Sequence, residues 1–213
     1  MKTKALAALL LCGTLLTGLT ACGGDSDVTM KQSDLPYGAT LALKKEAGKP
    51  TIQYDSRFVP EECFDTLLTY YDCIVTQNAE QFASIQLPVY HDYQLETMLE
   101  GKYTDAQILE NSHEAFKQYF GGEFAFAMLD ITECLDKDAS STGENLLTMI
   151  DGLYEDAGKS EKFSDGVSDL REMKITRYLA AAGSGKDTET NCALEDETLV
   201  LLKYADKWYV IYN

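Results

Sequence analysis

At 213 residues the chain is long enough for one well-buried domain, and its 45% hydrophobic content excludes global disorder. Eighteen basic residues against 35 acidic ones give a net charge of −17. Such a surface repels phosphate backbones and excludes nucleic acid as a partner.

In chain order, Lys2 and Lys4 give a positive start, and residues 5–19 run apolar with small interruptions at Gly13, Thr14, Thr17 and Gly18. That length suits a secretory signal core and falls short of the roughly 18 apolar residues that span a bilayer. The block Leu19-Thr20-Ala21-Cys22 that follows resembles the lipobox of bacterial lipoprotein precursors: a Leu, two small residues, then an obligatory Cys. The resemblance implies that residues 1–21 are a signal peptide. It also implies that Cys22 carries a diacylglyceryl thioether and becomes the mature N-terminus. Each buried methylene contributes about 0.8 kcal/mol, and two chains anchor stably where one is marginal. A doubly acylated Cys22 would moor the protein to the extracytoplasmic side of a cell membrane with no spanning helix. Residues 23–33 offer little to bury and read as a spacer, so residues 22–38 are expected to be a flexible tether and residues 39–213 a globular domain.

Residues 40–43 and 51–54 suit short strands around a turn at 46–50. Pro60 suits a first helical position, with Glu61 and Glu62 favoured at the positive end of the helix dipole. Phe64, Leu67, Leu68, Tyr71, Ile74 and Val75 then share one helical face, with Cys73 roughly opposite. Asn78 with Gln81, and Thr104 with Gln107, have the form of capping boxes opening two more helices. The first ends before Pro88, residues 89–100 are helical in part, and the second ends at Gly121-Gly122. The stripe Ile108, Leu109, Ser112, Ala115, Phe116, Tyr119 and Phe120 is its expected buried face. A long strand from Phe124 to about Leu135, a helix over 142–157 stopped by Gly158, a strand through Met173 and Leu179, and a hairpin of 199–204 with 208–212 complete the pattern. Helices first and antiparallel strands after them give an α+β class, with helices on one face of a sheet.

Residues 70–82, in which one helix ends in a small polar turn and another begins, resemble the opening helices of NTF2-like (cystatin-like) domains. The ending 199–212, where Trp208 follows Lys207 at a turn, is similar to that superfamily's last hairpin. The resemblance implies a single domain with N-terminal helices packed on a curved antiparallel sheet, a cone enclosing a pocket. The helix over 142–157 departs from that layout.

Several chemistries fail on inspection. His113-Glu114 begins like a zincin motif, but Lys117 occupies the second His position, and His91 is the only other histidine. Both histidines are expected on a surface or helix flank, with no metal site. Ala180 and Asp187 break a P-loop pattern around Gly185-Lys186, and Gly166-Val167-Ser168 lacks the final Gly of a nucleophile elbow. Glu133, Asp136 and Asp138 resemble part of a calcium loop, but Ser141 replaces the required Gly and Leu147 the bidentate acid; a solvated turn is expected instead. No cofactor and no catalytic residue is assigned.

Tyr70, Tyr71, Tyr90, Tyr93, Tyr103 and Tyr119 cluster in the helical half with Asp72 and Asp92 nearby. Some NTF2-like enzymes use a pocket carboxylate as base and a Tyr for an oxyanion, which would need Asp72 or Asp92 in an apolar pocket; the alternative is tyrosines packing the helix–sheet interface. Cys63 and Cys73 fall ten residues, about 15 Å, apart on one expected helix and cannot bridge. Cys134 and Cys192 lie in strand-like segments and are the better disulfide pair; four free thiols is the alternative. Three functions remain open. The first is a lipid-anchored domain binding a small molecule or protein without chemistry. The second is a pocket enzyme of isomerase or hydrolase type. The third is a surface protein that forms a homodimer through its sheet.

Overall fold

The computed structural model describes residues 35–183 and 192–211. Cys22, and with it the signal peptide and most of the expected tether, lies outside them. Among the described residues no helix is long and apolar enough to cross a membrane.

The chain opens with a hairpin of β1 (Leu41–Lys44) and β2 (Thr51–Asp55), as the turn signals at 46–50 indicate. A single 3-10 turn at Glu61–Cys63 leads into α1 (Phe64–Thr76), so Pro60 stands just before the turn with its extended backbone. Asn78 caps α2 (Ala79–Ser84), accepting from the Gln81 N–H at 3.1 Å. α3 (Pro88–Tyr93) runs into a π-turn at Gln94–Met98. Thr104 and Gln107 close the capping box of α4 (Asp105–Phe120), which ends on Gly121 at φ 83, a conformation a residue with a Cβ rarely adopts. Then follow β3 (Phe124–Asp136), α5 (Ser141–Asp156), β4 (Val167–Ala181), β5 (Cys192–Tyr204) and β6 (Lys207–Ile211).

The six strands form one sheet in chain order. All neighbours are antiparallel except β2 and β3, which run parallel. That pairing follows from the helices between them. A chain leaving β2 through α1–α4 returns to the same end of the sheet, as a parallel crossover requires. Bulges at Phe126/Met128 and Ile131/Glu133 on β3, and at Val167/Asp169 and Ile175/Arg177 on β4, bend the long strands. The fold is therefore α+β in one domain with a mixed sheet.

Alternation along β5 shows that both faces of the sheet are buried at one end. Leu199 and Leu201 pack with Leu67, Tyr71 and Leu109 of α1 and α4. Val200 and Leu202 pack with Leu146, Leu147 and Ile150 of α5 and with Tyr90 of α3. The expected single helical face is thus corrected: α5 and α3 cover the opposite side. Gly143 makes this possible, because a Cβ there would stand 2.5 Å from Leu170 Cδ2. Beyond α5 the same face is polar. Gln53 donates to Asp130 at 3.0 Å, Lys174 pairs with Glu133, and Thr176 donates to Asp196.

Residues 35–38 belong to the folded unit rather than to a tether. Asp55, with no exposed surface, accepts from the Gly38 N–H at 2.9 Å and the Thr40 hydroxyl at 2.6 Å, and pairs with Arg57 at 2.7 Å. Arg57 donates onward to the Leu35 and Pro36 carbonyls, and the Tyr37 hydroxyl reaches the Ile131 carbonyl at 2.8 Å. These bonds strap the entering chain across the β1–β2 edge. Their charge holds the Asp55 carboxyl far below the ordinary range, Arg57 being the main cause.

Candidate functional site

A cleft of about 300 Å³ opens where the β1–β2 turn, α1, α2 and the start of β3 meet. The helical face legible in the sequence supplies Leu68, Tyr71 and Val75 as one wall. Ala125 and Phe126 of β3 supply the other, with Pro50 beneath the turn. Lys49, Asp72 and Gln81 stand at the mouth. A wider hollow of about 650 Å³ lies along the loop 158–166, but its lining is Lys159, Glu161, Lys162 and Asp165 with only Tyr154 and Tyr204 as apolar surface. Loop charges in water hold a ligand less well than apolar walls on fixed elements, so the smaller cleft is the better candidate.

Behind the cleft Tyr71 is fully buried, its ring edge-on to Phe126 at 4.9 Å. Its hydroxyl donates to Glu197 at 2.9 Å, and the Tyr70 hydroxyl reaches the other carboxylate oxygen at 3.4 Å. Arg177 completes the group, 3.1 Å from Glu197 and stacked over Phe116 at 5.5 Å. Burial pushes the Tyr71 phenol well above its ordinary value, and the charge of Glu197 adds to the shift. Tyr71 therefore keeps its proton and directs it at Glu197. It is not positioned to hand that proton to a molecule in the cleft. Asp72 is its chain neighbour and stands exposed at the mouth rather than enclosed in the cleft. The Tyr–Asp dyad considered from the sequence is therefore not assembled here. Asp92 is exposed on α3, on the other side of the sheet.

The sequence cluster of tyrosines disperses in space. Tyr70 and Tyr71 join Glu197; Tyr90 and Tyr93 belong to the second apolar cluster; Tyr103 and Tyr119 are exposed. Both histidines are buried rather than on a surface or flank, which corrects the expectation. His91 Nε2 lies 2.9 Å from Asp105 Oδ1, off the line of an N–H···O bond. His113, two turns farther along α4, has Nδ1 3.1 Å from the Ile74 carbonyl. The periodicity of α4 misled here: its buried face centres on Leu109 and His113, whereas Ala115 and Tyr119 face water. Among the described residues no group of three His, Cys, Asp or Glu side chains could hold a metal. Asp136 instead accepts the N–H groups of Asp138 and Ala139, closing a turn.

Cys63, Cys73 and Cys134 are free and buried, the alternative to a Cys134–Cys192 bridge. Cys134 donates to the Phe58 carbonyl at 3.4 Å. Cys134 is level with Met173 and Cys192 with Leu179, so their backbones lie on opposite sides of β4 and at different heights along it. The side chain of Cys192 lies outside the described residues. Cys73, expected opposite the buried face of its helix, is covered completely.

Sequence reasoning missed Glu197, Arg177, Phe126 and the Asp55–Arg57 strap. Only the strap had a local signal, an acid and an Arg two apart after a strand; Arg177 and Glu197 meet across two neighbouring strands, and Tyr71 meets Phe126 and Glu197 across more than fifty residues. No protein-family model, no curated protein and no solved structure matches this chain.

Proposed function

We propose that this chain is a lipid-anchored extracytoplasmic protein whose domain binds a small molecule in the α1–β3 cleft without transforming it. The observation that carries the binding reading is the cleft itself. Its walls are apolar side chains on packed elements, and the tyrosine behind it directs its proton at Glu197 rather than at the cleft. The anchor reading rests on the block ending at Cys22. Support for an NTF2-like domain comes from α1, α2 and α4 on one face of a bulged sheet, with the cleft where α1 and α2 meet β3. The hairpin that precedes the helices and α5 on the far face are departures from the resemblance.

Two measurements test the proposal on the protein purified from its own cells. Cells fed labelled palmitate should label the wild type and not Cys22→Ser; an unlabelled wild type removes the anchor. Native mass spectrometry should show a retained small molecule that Ala125→Trp, which fills the cleft, expels. A retained molecule that survives this substitution, or one that turns over into a product, overturns non-catalytic binding in the cleft.

A further inference from the structure

The mouth of the cleft carries a charge pattern that its apolar walls do not explain. Among the described residues Lys49 is the one cation that lines it, and it is already engaged: its ammonium lies 2.9 Å from Glu46 and 4.0 Å from Asp65. Asp72 stands on the same rim, and its carboxylate has no side-chain or backbone donor among the described residues. Of the charged residues that line the cleft, Lys49 and Asp72 carry opposite signs, but Lys49 is drawn towards Glu46 and Asp65, which leaves Asp72 the less compensated charge on a chain of net charge −17. Deeper in, the buried rings of Tyr71 and Phe126 give the cleft an aromatic lining that suits the body of a ligand.

We propose that the ligand of this cleft is a small organic cation: an amine whose ammonium meets Asp72 and whose aromatic or branched body lies between Leu68, Val75 and Phe126. This rests on the binding reading above and adds the ligand's chemical class. An anion such as a fatty acid would set its carboxylate against Asp72, Asp65 and Glu46, and the wider field of the chain would lower its concentration at the mouth. A long acyl chain also exceeds about 300 Å³, a volume at the low end for ligand pockets and suited to a molecule of one or two rings. Asp72 follows directly from helix geometry. It is next to Tyr71 in sequence, so its side chain leaves α1 about 100° around from the buried face and reaches the rim rather than the floor.

Three probes with one indole body separate charge from shape: tryptamine, the neutral tryptophol and the anionic indole-3-acetate. Each is dialysed to equilibrium against the full chain held in phosphatidylcholine nanodiscs, with empty nanodiscs as the blank. Tryptamine should bind about three- to tenfold more tightly than tryptophol, the size expected of one partly exposed charge pair, and indole-3-acetate more weakly than either. Asp72→Asn, a substitution at an exposed position, should bring tryptamine down to tryptophol and leave tryptophol unchanged. Ala125→Trp should abolish all three. If tryptophol binds and is expelled by Ala125→Trp but tryptamine has no advantage, or keeps it in Asp72→Asn, the cation proposal fails and the cleft stands. If none of the three binds above the blank, the binding reading fails with it.

Discussion

Asp55 has no exposed surface, yet every lone pair direction of its carboxylate meets a donor from Gly38, Thr40 or Arg57. Removing that carboxylate strands the Arg57 guanidinium, itself mostly buried, and releases residues 35–40. Stranding one partner costs far more than an exposed pair is worth. We therefore expect Asp55→Ala to lower Tm by about 5–10 °C in calorimetry, where an exposed pair such as Lys49–Glu46 should move it by less than about 2 °C. The pH dependence has a definite sign. A carboxyl held below its ordinary value in the folded state binds its proton first in the unfolded state, so stability falls as pH falls. The strap contributes fully above the unfolded carboxyl range near pH 4 and weakens progressively below it. Asp55→Asn should flatten the loss of Tm between about pH 5 and pH 3; an unchanged slope would remove Asp55 from the acid response. Thiols give the complementary case. Burial pushes the Cys73 thiol up to about 11 and Cys134 up to about 12, and Cys63 is raised further with Cys134 nearby. Reactivity follows the thiolate, so these three should resist iodoacetamide at pH 8 until the chain unfolds, as peptide mass mapping can read. Beyond the Asp55–Arg57 spacing, none of this was legible residue by residue. A cysteine in an apolar run and an aspartate ending a strand look the same in sequence whether free, bridged, exposed or enclosed.

At the scale of elements the sequence was far more informative, because caps and turns are local. Thr104 and Gln107 form both bonds of the expected box, the Thr104 N–H donating to Gln107 at 3.0 Å and the Gln107 N–H to Thr104 at 3.4 Å. Thr104→Ala should cost about 1 kcal/mol, seen as a fall in Tm of about 2–4 °C with binding in the cleft unchanged. The last hairpin offers the opposite sign. Ala205 and Asp206 connect β5 to β6 with φ of 49 and 60, a two-residue turn in which both positions are left-handed. Such turns favour Asn-Gly, and Ala pays steric cost there that Asn and Gly avoid. The double substitution Ala205→Asn, Asp206→Gly should stabilise by about 1 kcal/mol in urea denaturation. Pairings between elements were not legible. Nothing near Thr51 announces that β2 lies parallel to β3 at Met128, since that contact is set by the helices in between. The amphipathic stripe of α5 marks a buried face but not which side of the sheet receives it. The cleft shows the same division: its α1 wall was readable from periodicity, whereas its β3 wall depends on long-range docking.

For the whole molecule the question is whether the sheet has a face left to bury against a second copy. The part of the outer face that α5 leaves uncovered carries Gln53–Asp130, Glu133–Lys174 and Thr176–Asp196 as successive polar pairs. A stable homodimer buries roughly 800 Å² per partner around an apolar centre, and these pairs would have to be desolvated to form one. The free edge is the other route to association. β1 shows Leu41 and Leu43 more than half exposed, a feature that invites strand pairing. It is only four residues long, however, and runs into Lys44 and Lys45, charges that discourage an approaching edge. We therefore expect the wild type to sediment as a monomer at micromolar concentration once allowance is made for its nanodisc. Replacing Lys174, Thr176 and Thr198 together with Leu would put an apolar strip across β4 and β5 on that face, and should produce a dimer or larger species at the same concentration. Leu41→Lys with Leu43→Lys should leave the sedimentation of the wild type as it is. A wild-type dimer that this edge variant dissociates would show that β1 is the contact and that four residues suffice. A wild-type dimer indifferent to it would mean the polar pairs of the sheet face are themselves an interface, wet and held by charge rather than by apolar burial.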